Sequence, residues 1–96
     1  MKHNQPKTIK IALTKVIENL GIGQRLKKYE ILDRWHQIVG EQIAKVTHAD
    51  RFDGDKLIVR VSHSAWRNEL IYLKKEIIAQ LNKSVNEEIV KDIIFR

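Results

Sequence analysis

From Thr8 onward, apolar residues recur at Ile9, Leu13, Val16, Ile17 and Leu20. That spacing places them on one face of a helix. Thr8 is positioned to cap the start, and Gly21 to stop the helix at the C′ position. Gly21-Ile22-Gly23 then reads as a tight connection. A second helical stripe runs through Leu26, Leu32, Trp35, Val39, Ile43 and Val46, widened by Ile31 and Ile38. Gly40 interrupts this stripe, and a glycine inside a helix costs about 1 kcal/mol relative to alanine. A kink, a break or a close helix approach is therefore expected at Gly40.

The period then changes from helical to alternating. A short strand is predicted over Ala49–Phe52, followed by the turn Asp53-Gly54-Asp55, where Asp-Gly is a strong hairpin signal. The second strand covers Lys56–Ser62. Leu57, Val59 and Val61 share one of its faces, and Lys56, Ile58, Arg60 and Ser62 the other, so one side is buried and the other mostly polar. Ser64 reads as the cap of a third helix, with Trp66, Leu70, Leu73, Ile77 and Leu81 on one stripe, Ile71 and Ile78 beside it, and an end near Asn82–Ser84. Ile89–Phe95 is strand-like, but Lys91 falls in phase with Ile93 and Phe95, which points to an edge strand or a lysine that snorkels. The order helix, helix, strand, strand, helix, strand predicts an α+β fold with helices packed on a three-stranded sheet. The return from second to third strand favours a right-handed crossover. Residues 1–7 read as a flexible basic tail and residues 8–96 as a single domain, with no internal repeat.

Composition removes whole classes of function. The chain has no cysteine, so disulfides, thiolate nucleophiles and cysteine zinc sites are excluded. No apolar run is long enough to span a bilayer and the N-terminus lacks a signal-peptide core, so the expected compartment is the cytoplasm. His3, His36, His48 and His63 are dispersed without metal-ligand spacing, and Asp50, Asp53 and Asp55 lack the pattern of a calcium loop. There is no P-loop, no G-x-G-x-x-G and no G-x-S-x-G elbow. The chain is expected not to be an enzyme and to need no cofactor or metal.

Charge adds a direction. The net charge is +6, and residues 1–28 hold all of it, with seven Lys/Arg against Glu18 alone, while the remaining charges cancel. Such asymmetry is an electrostatic footprint for an anionic partner. Two regions supply the cations and apparent backbone access that nucleic acid needs. One is the first helix and the interhelical connection, with Lys10, Lys15, Arg25, Lys27 and Lys28. The other is the polar sheet face, with Arg51, Lys56 and Arg60. Arg67, Lys74 and Lys75 extend the basic surface, the last two beside Glu69 and Glu76. Trp35 and Trp66 lie in phase with apolar stripes and read as core anchors; Tyr29 and Tyr72 lie off-stripe and read as exposed. A basic amphipathic first helix could touch membranes, but its stripe is better used by the core, so no membrane partner is expected.

The stretch Leu32 to Thr47 reads L-x-x-W-x-x-x-V-G-x-x-I-A-x-x-T. It is followed by Gly54, Leu57, Val59 and Val61, by Trp66-x-x-Glu69-Leu70, by Leu81-Asn82, and by Val90, Ile93, Phe95 and Arg96. This pattern resembles the DciA family over residues 8–96. The resemblance implies a KH-like domain of order α-α-β-β-α-β, and a role with the replicative DnaB-type helicase in its loading onto single-stranded DNA. The element order is also similar to the N-terminal domain of the initiator DnaA, an analogy of fold alone. Gly21-Ile22-Gly23 is one residue short of the KH G-x-x-G clamp, which is not carried over. Family members carry a C-terminal extension that engages the helicase; here the residues end with the last strand, so the folded domain and the basic N-terminus are expected to substitute. The expected function is a non-catalytic DNA-binding adaptor. The alternatives are a ribosome-associated RNA-binding KH-like module and a protein-interaction module, monomeric or weakly self-associating through the edge of the last strand.

Overall fold

In the computed structural model, which describes residues 6–96 apart from the side chains of 6–8 and 17–20, these stripes become helices α1 (Pro6–Leu20), α2 (Ile22–Val39) and α3 (Glu41–Ala44), strands β1 (Thr47–Asp53) and β2 (Lys56–Val61), helix α4 (Ser64–Val85) and strand β3 (Asp92–Phe95). The α+β class and the predicted element order hold, with α3 the continuation of the second stripe beyond Gly40.

Two glycines divide the helical region. Gly21, at φ 72°, takes the left-handed conformation that ends α1, and α2 starts on the next residue. The connection is thus one residue long, and Gly23 lies in the first turn of α2 rather than in a linker. Gly40 sits at φ 88°, ψ 163°, a region that residues with a Cβ scarcely enter. A Cβ at Gly40 would meet no atom within 4 Å, so the position uses backbone freedom and not close packing. The helix breaks there, as one of the expected outcomes.

β2 is the middle strand, antiparallel to β1 and parallel to β3. Its apolar phase, Leu57, Val59 and Val61, meets Ile31 and Trp35 of α2, Leu70, Ile77, Leu81 and Val85 of α4, and Ile93 of β3. α2 and α4 therefore cover one face of the sheet, and β3 occupies an edge, as the imperfect alternation predicts. The opposite face is not wholly polar: Ile58 is 1% exposed and pairs in register with Ile94. β1 begins two residues earlier than expected and carries a bulge between Ala49 and Arg51, which leaves Asp50 as the extra residue. β3 is shorter than expected because Ile89 and Val90 are buried in the connection after α4 rather than in the strand.

Side-chain hydrogen bonds fix these elements to one another. Trp35 Nε1 donates to Thr47 Oγ1 at 3.0 Å, and the Thr47 hydroxyl donates to the Ile43 carbonyl at 2.8 Å, tying α2, β1 and α3 together. Asn82 Oδ1 accepts from the backbone N–H of Ile89 (3.1 Å) and Val90 (2.8 Å), while Nδ2 donates to the Val90 carbonyl at 2.9 Å. One side chain on α4 thereby satisfies the backbone of a buried connection. Asn86, at φ 54°, closes α4 one residue beyond the predicted end region.

The first helix departs from expectation. It starts at Pro6, not at a Thr8 cap; proline suits a first helical turn, where its missing N–H costs no hydrogen bond. Residues 1–5 of the predicted tail lie outside the described residues, and Pro6 and Lys7 are already helical. Among the described residues, α1 packs against α2 alone. Its Ile9, Leu13 and Val16 are 50%, 58% and 54% exposed, so this part of the stripe assigned to the core is not used by it; the side chains of Ile17 and Leu20 lie outside the described ones. The Cα radius of gyration is 16.6 Å with a long axis of 62 Å, against about 12–13 Å for a compact chain of this length. The helix forms an arm that leaves the body.

Candidate nucleic-acid interface

The arm and the start of α2 carry one group of the predicted cations. Lys10 and Lys15 are exposed on α1 and Arg25 on α2, and none has an ion-pair partner among the described residues. Arg25 and Tyr29 are one helical turn apart, and Tyr29 is 73% exposed, which puts a cation and an aromatic ring on the same outward face. Lys27 behaves differently: its Nζ bonds Glu87 Oε1 at 2.6 Å and ties α2 to the connection after α4. Lys28 is half-buried with Nζ 5.6 Å from the centroid of the Phe52 ring, a cation–π distance. Between α1 and α2 lies an open cleft of about 710 Å³, whose lining includes Thr14, Gly21, Gln24 and Lys27 and the acids Glu30 and Glu87. No acidic residue occupies the first turn of α2 there.

The second group lies on the other side of the sheet. Lys28 reaches Phe52 on the helix-covered face, whereas Arg51, Lys56 and Arg60 alternate onto the open face with Ile58. The two predicted regions are therefore separate surfaces. On the open face, carboxylates temper the cations. Arg51 pairs with Asp50 at 2.9 Å, Arg60 lies 3.9 Å from the same carboxylate, and Lys56 stands in register with Asp53 and Asp92. The bulge places Asp50 between two arginines, an arrangement that sequence alternation alone does not reveal.

Of the remaining cations, Lys74 pairs with Asp92 at 3.2 Å, not with its sequence neighbours, Lys75 is exposed, and Arg67 has a buried Nε without a partner. Partial burial pushes the Asp92 carboxyl up. The hydrogen bonds from Lys74 and the Ile93 N–H, with the charges of Lys74 and Lys56, outweigh that and hold it below the usual carboxylate range. Trp35 is a core anchor as expected. Trp66 packs against the core but also lines a groove of about 470 Å³ with Ile43, Ala65, Glu69 and Leu73. Tyr72 is 86% exposed, as predicted.

Among the described residues, no three His, Asp or Glu side chains gather where they could hold a metal ion. No helix among them is long and apolar enough to cross a membrane. The arrangement offers surface cations, the exposed Tyr29 ring beside an arginine without an ion-pair partner among the described residues, and open clefts. That equipment suits the binding of an extended polyanion.

Comparison with known proteins agrees with the residue pattern. The family model described as "Dna[CI] antecedent, DciA" matches residues 8–95. A UPF0232 protein of Streptomyces avermitilis is 35% identical over 63 residues, covering 64% of this chain and 35% of that protein. A UPF0232 protein of Streptomyces coelicolor is 29% identical over 90 residues, covering 92% and 47%. One of Rhodococcus jostii is 29% identical over 83 residues, covering 85% and 44%. The chain thus spans less than half the length of these relatives. With the family model covering it almost end to end, and with an α+β fold of the implied order, this chain belongs to the DciA family.

Proposed function

We propose that this domain is a non-catalytic adaptor that binds single-stranded DNA and assists loading of the replicative DnaB-type helicase onto it, in the cytoplasm. One observation carries the DNA part: Lys10 and Lys15 on α1 and Arg25 on α2 stand exposed, with no ion-pair partner among the described residues, and Tyr29 lies one helical turn from Arg25. Such cations release condensed counterions on meeting phosphates, a gain indifferent to base sequence. An exposed ring next to a cation adds a stacking surface that every unpaired base can use. Lys27 and Lys28 border the same arm and contribute less, because Lys27 must first leave Glu87. Arg51, Lys56 and Arg60 form a second, weaker contact surface on the open sheet face. Membership in a family described as an antecedent of Dna[CI] supports the replication part.

The test is a titration of a single-stranded oligonucleotide over a range of salt concentrations, with the wild-type chain and with Lys10→Gln, Lys15→Gln, Arg25→Gln combined. Each phosphate contact on single strands contributes about 0.7 to the slope of log affinity against log salt, so losing three lowers that slope by about 2. Unchanged affinity and slope would remove these residues from the interface. Matched RNA that outcompetes the DNA would replace the ligand, since only RNA offers a 2′-hydroxyl.

A further inference from the structure

The cations of α1 leave its other side unexplained. Ile9, Leu13 and Val16 stand at i, i+4 and i+7, each at least half exposed, and Ala12 beside them is exposed as well. Among the described side chains of α1, Thr14, on the polar side, lines the cleft toward α2, and Ile9, Leu13 and Val16 do not. Contiguous exposed apolar surface on a soluble domain marks an interaction site, and phosphate contacts would use the lysines and not this seam. The seam is narrow and aliphatic, with the spacing by which one helix reads another. α1 holds Lys7, Lys10 and Lys15 against Glu18 alone. A second copy of this chain would therefore bring like charges together along the seam, whereas a helix flanked by carboxylates would neutralise them.

We infer that the Ile9–Leu13–Val16 face of α1 is a docking surface for an acidic amphipathic helix on the partner protein, which on the reading proposed above is the replicative helicase. The partner protein then takes the aliphatic face, and the lysines beside it are shared, meeting the partner's carboxylates in one complex and DNA phosphates in the other. The inference rests on that reading for the partner, but the surface and the chemistry of its occupant follow from charge and spacing on α1.

The test uses purified replicative helicase from the same organism, with the wild-type chain and with Ile9→Gln, Leu13→Gln, Val16→Gln combined. Glutamine is neutral and a good helix former, and the seam has no core contact, so thermal unfolding is expected to be unchanged. Expected is a loss of helicase affinity of about tenfold or more, with single-stranded DNA affinity retained. Lys10→Glu alone should weaken helicase binding in a salt-dependent way. Wild-type and triple-variant chains that bind the helicase equally well would overturn the docking surface and leave the proposed function standing. Failure of the wild-type chain to bind the helicase at all would overturn both. Seam-dependent dimerisation, or seam-dependent binding to phosphatidylglycerol vesicles, with helicase binding unaffected by the substitutions, would reassign the face to that occupant.

Discussion

Asn82 does more for this fold than its position near the end of a helix suggests. Its side chain satisfies two N–H groups and one carbonyl of the connection that carries the buried Ile89 and Val90. Asn82→Ala leaves those groups unpaired, and each unsatisfied buried group costs about 1–3 kcal/mol. A loss of about 2–4 kcal/mol in denaturant unfolding is expected; a loss near zero would mean that water replaces the side chain. Asp92 sets an acid limit on stability. Its folded-state value lies below the ordinary one, so its contribution is fully present above the unfolded value and disappears as pH falls through the folded one. Asp92→Asn should therefore be less stable than wild type at neutral pH, with the two thermal midpoints converging as the pH drops below the carboxylate range. A gap independent of pH would contradict this ion pair. Neither residue's partner is legible from sequence. The Lys27–Glu87 pair joins residues 60 apart, and Lys74 passes over nearby Glu76 for Asp92; such choices are made by the packing of α2 and α4. The bulge at Asp50, which re-aims a carboxylate between Arg51 and Arg60, is likewise invisible to a period-two reading.

At the scale of elements, periodicity proved informative about which residues share a face and silent about what covers that face. The stripes of α2 and α4 and the alternation of β2 reach the core, apart from Leu26 at the start of α2, which is 51% exposed, and the Asp-Gly hairpin and the break at Gly40 fall where predicted. The stripe of α1 is as regular as theirs, yet Ile9, Leu13 and Val16 remain exposed. Amphipathicity establishes that an apolar face needs a partner, not that the partner belongs to the same chain. Ile58 is the converse case, an apolar residue on a face read as polar that is nonetheless buried. Two element-scale predictions follow from this division. Gly40→Ala must hold a Cβ at φ 88°, at a cost of about 1–3 kcal/mol, measurable by chemical denaturation. Deleting residues 1–20 removes the arm, which among the described residues touches α2 alone. The body should still unfold cooperatively with a similar midpoint, while affinity for single-stranded DNA falls. Loss of cooperative folding would show that α1 belongs to the core after all.

At the scale of the whole molecule, the exposed apolar seam lies on the arm, and the excess positive charge of residues 1–28 spans the arm and the start of α2, while the charges of residues 29–96 cancel. A globular body anchors the arm through Gly21, and the arm offers the Ile9, Leu13 and Val16 seam and, away from it, Lys10, Lys15 and the exposed Ile11. That division of labour suits an adaptor joining a nucleic acid to a protein. The measurement that bears most directly on this account is loading of the same organism's replicative helicase onto a closed single-stranded DNA circle, which has no end to thread. The account predicts that the wild-type chain raises the amount of helicase retained on the circle, and that the Lys10→Gln, Lys15→Gln, Arg25→Gln variant does not. Equal retention with and without the wild-type chain would contradict it.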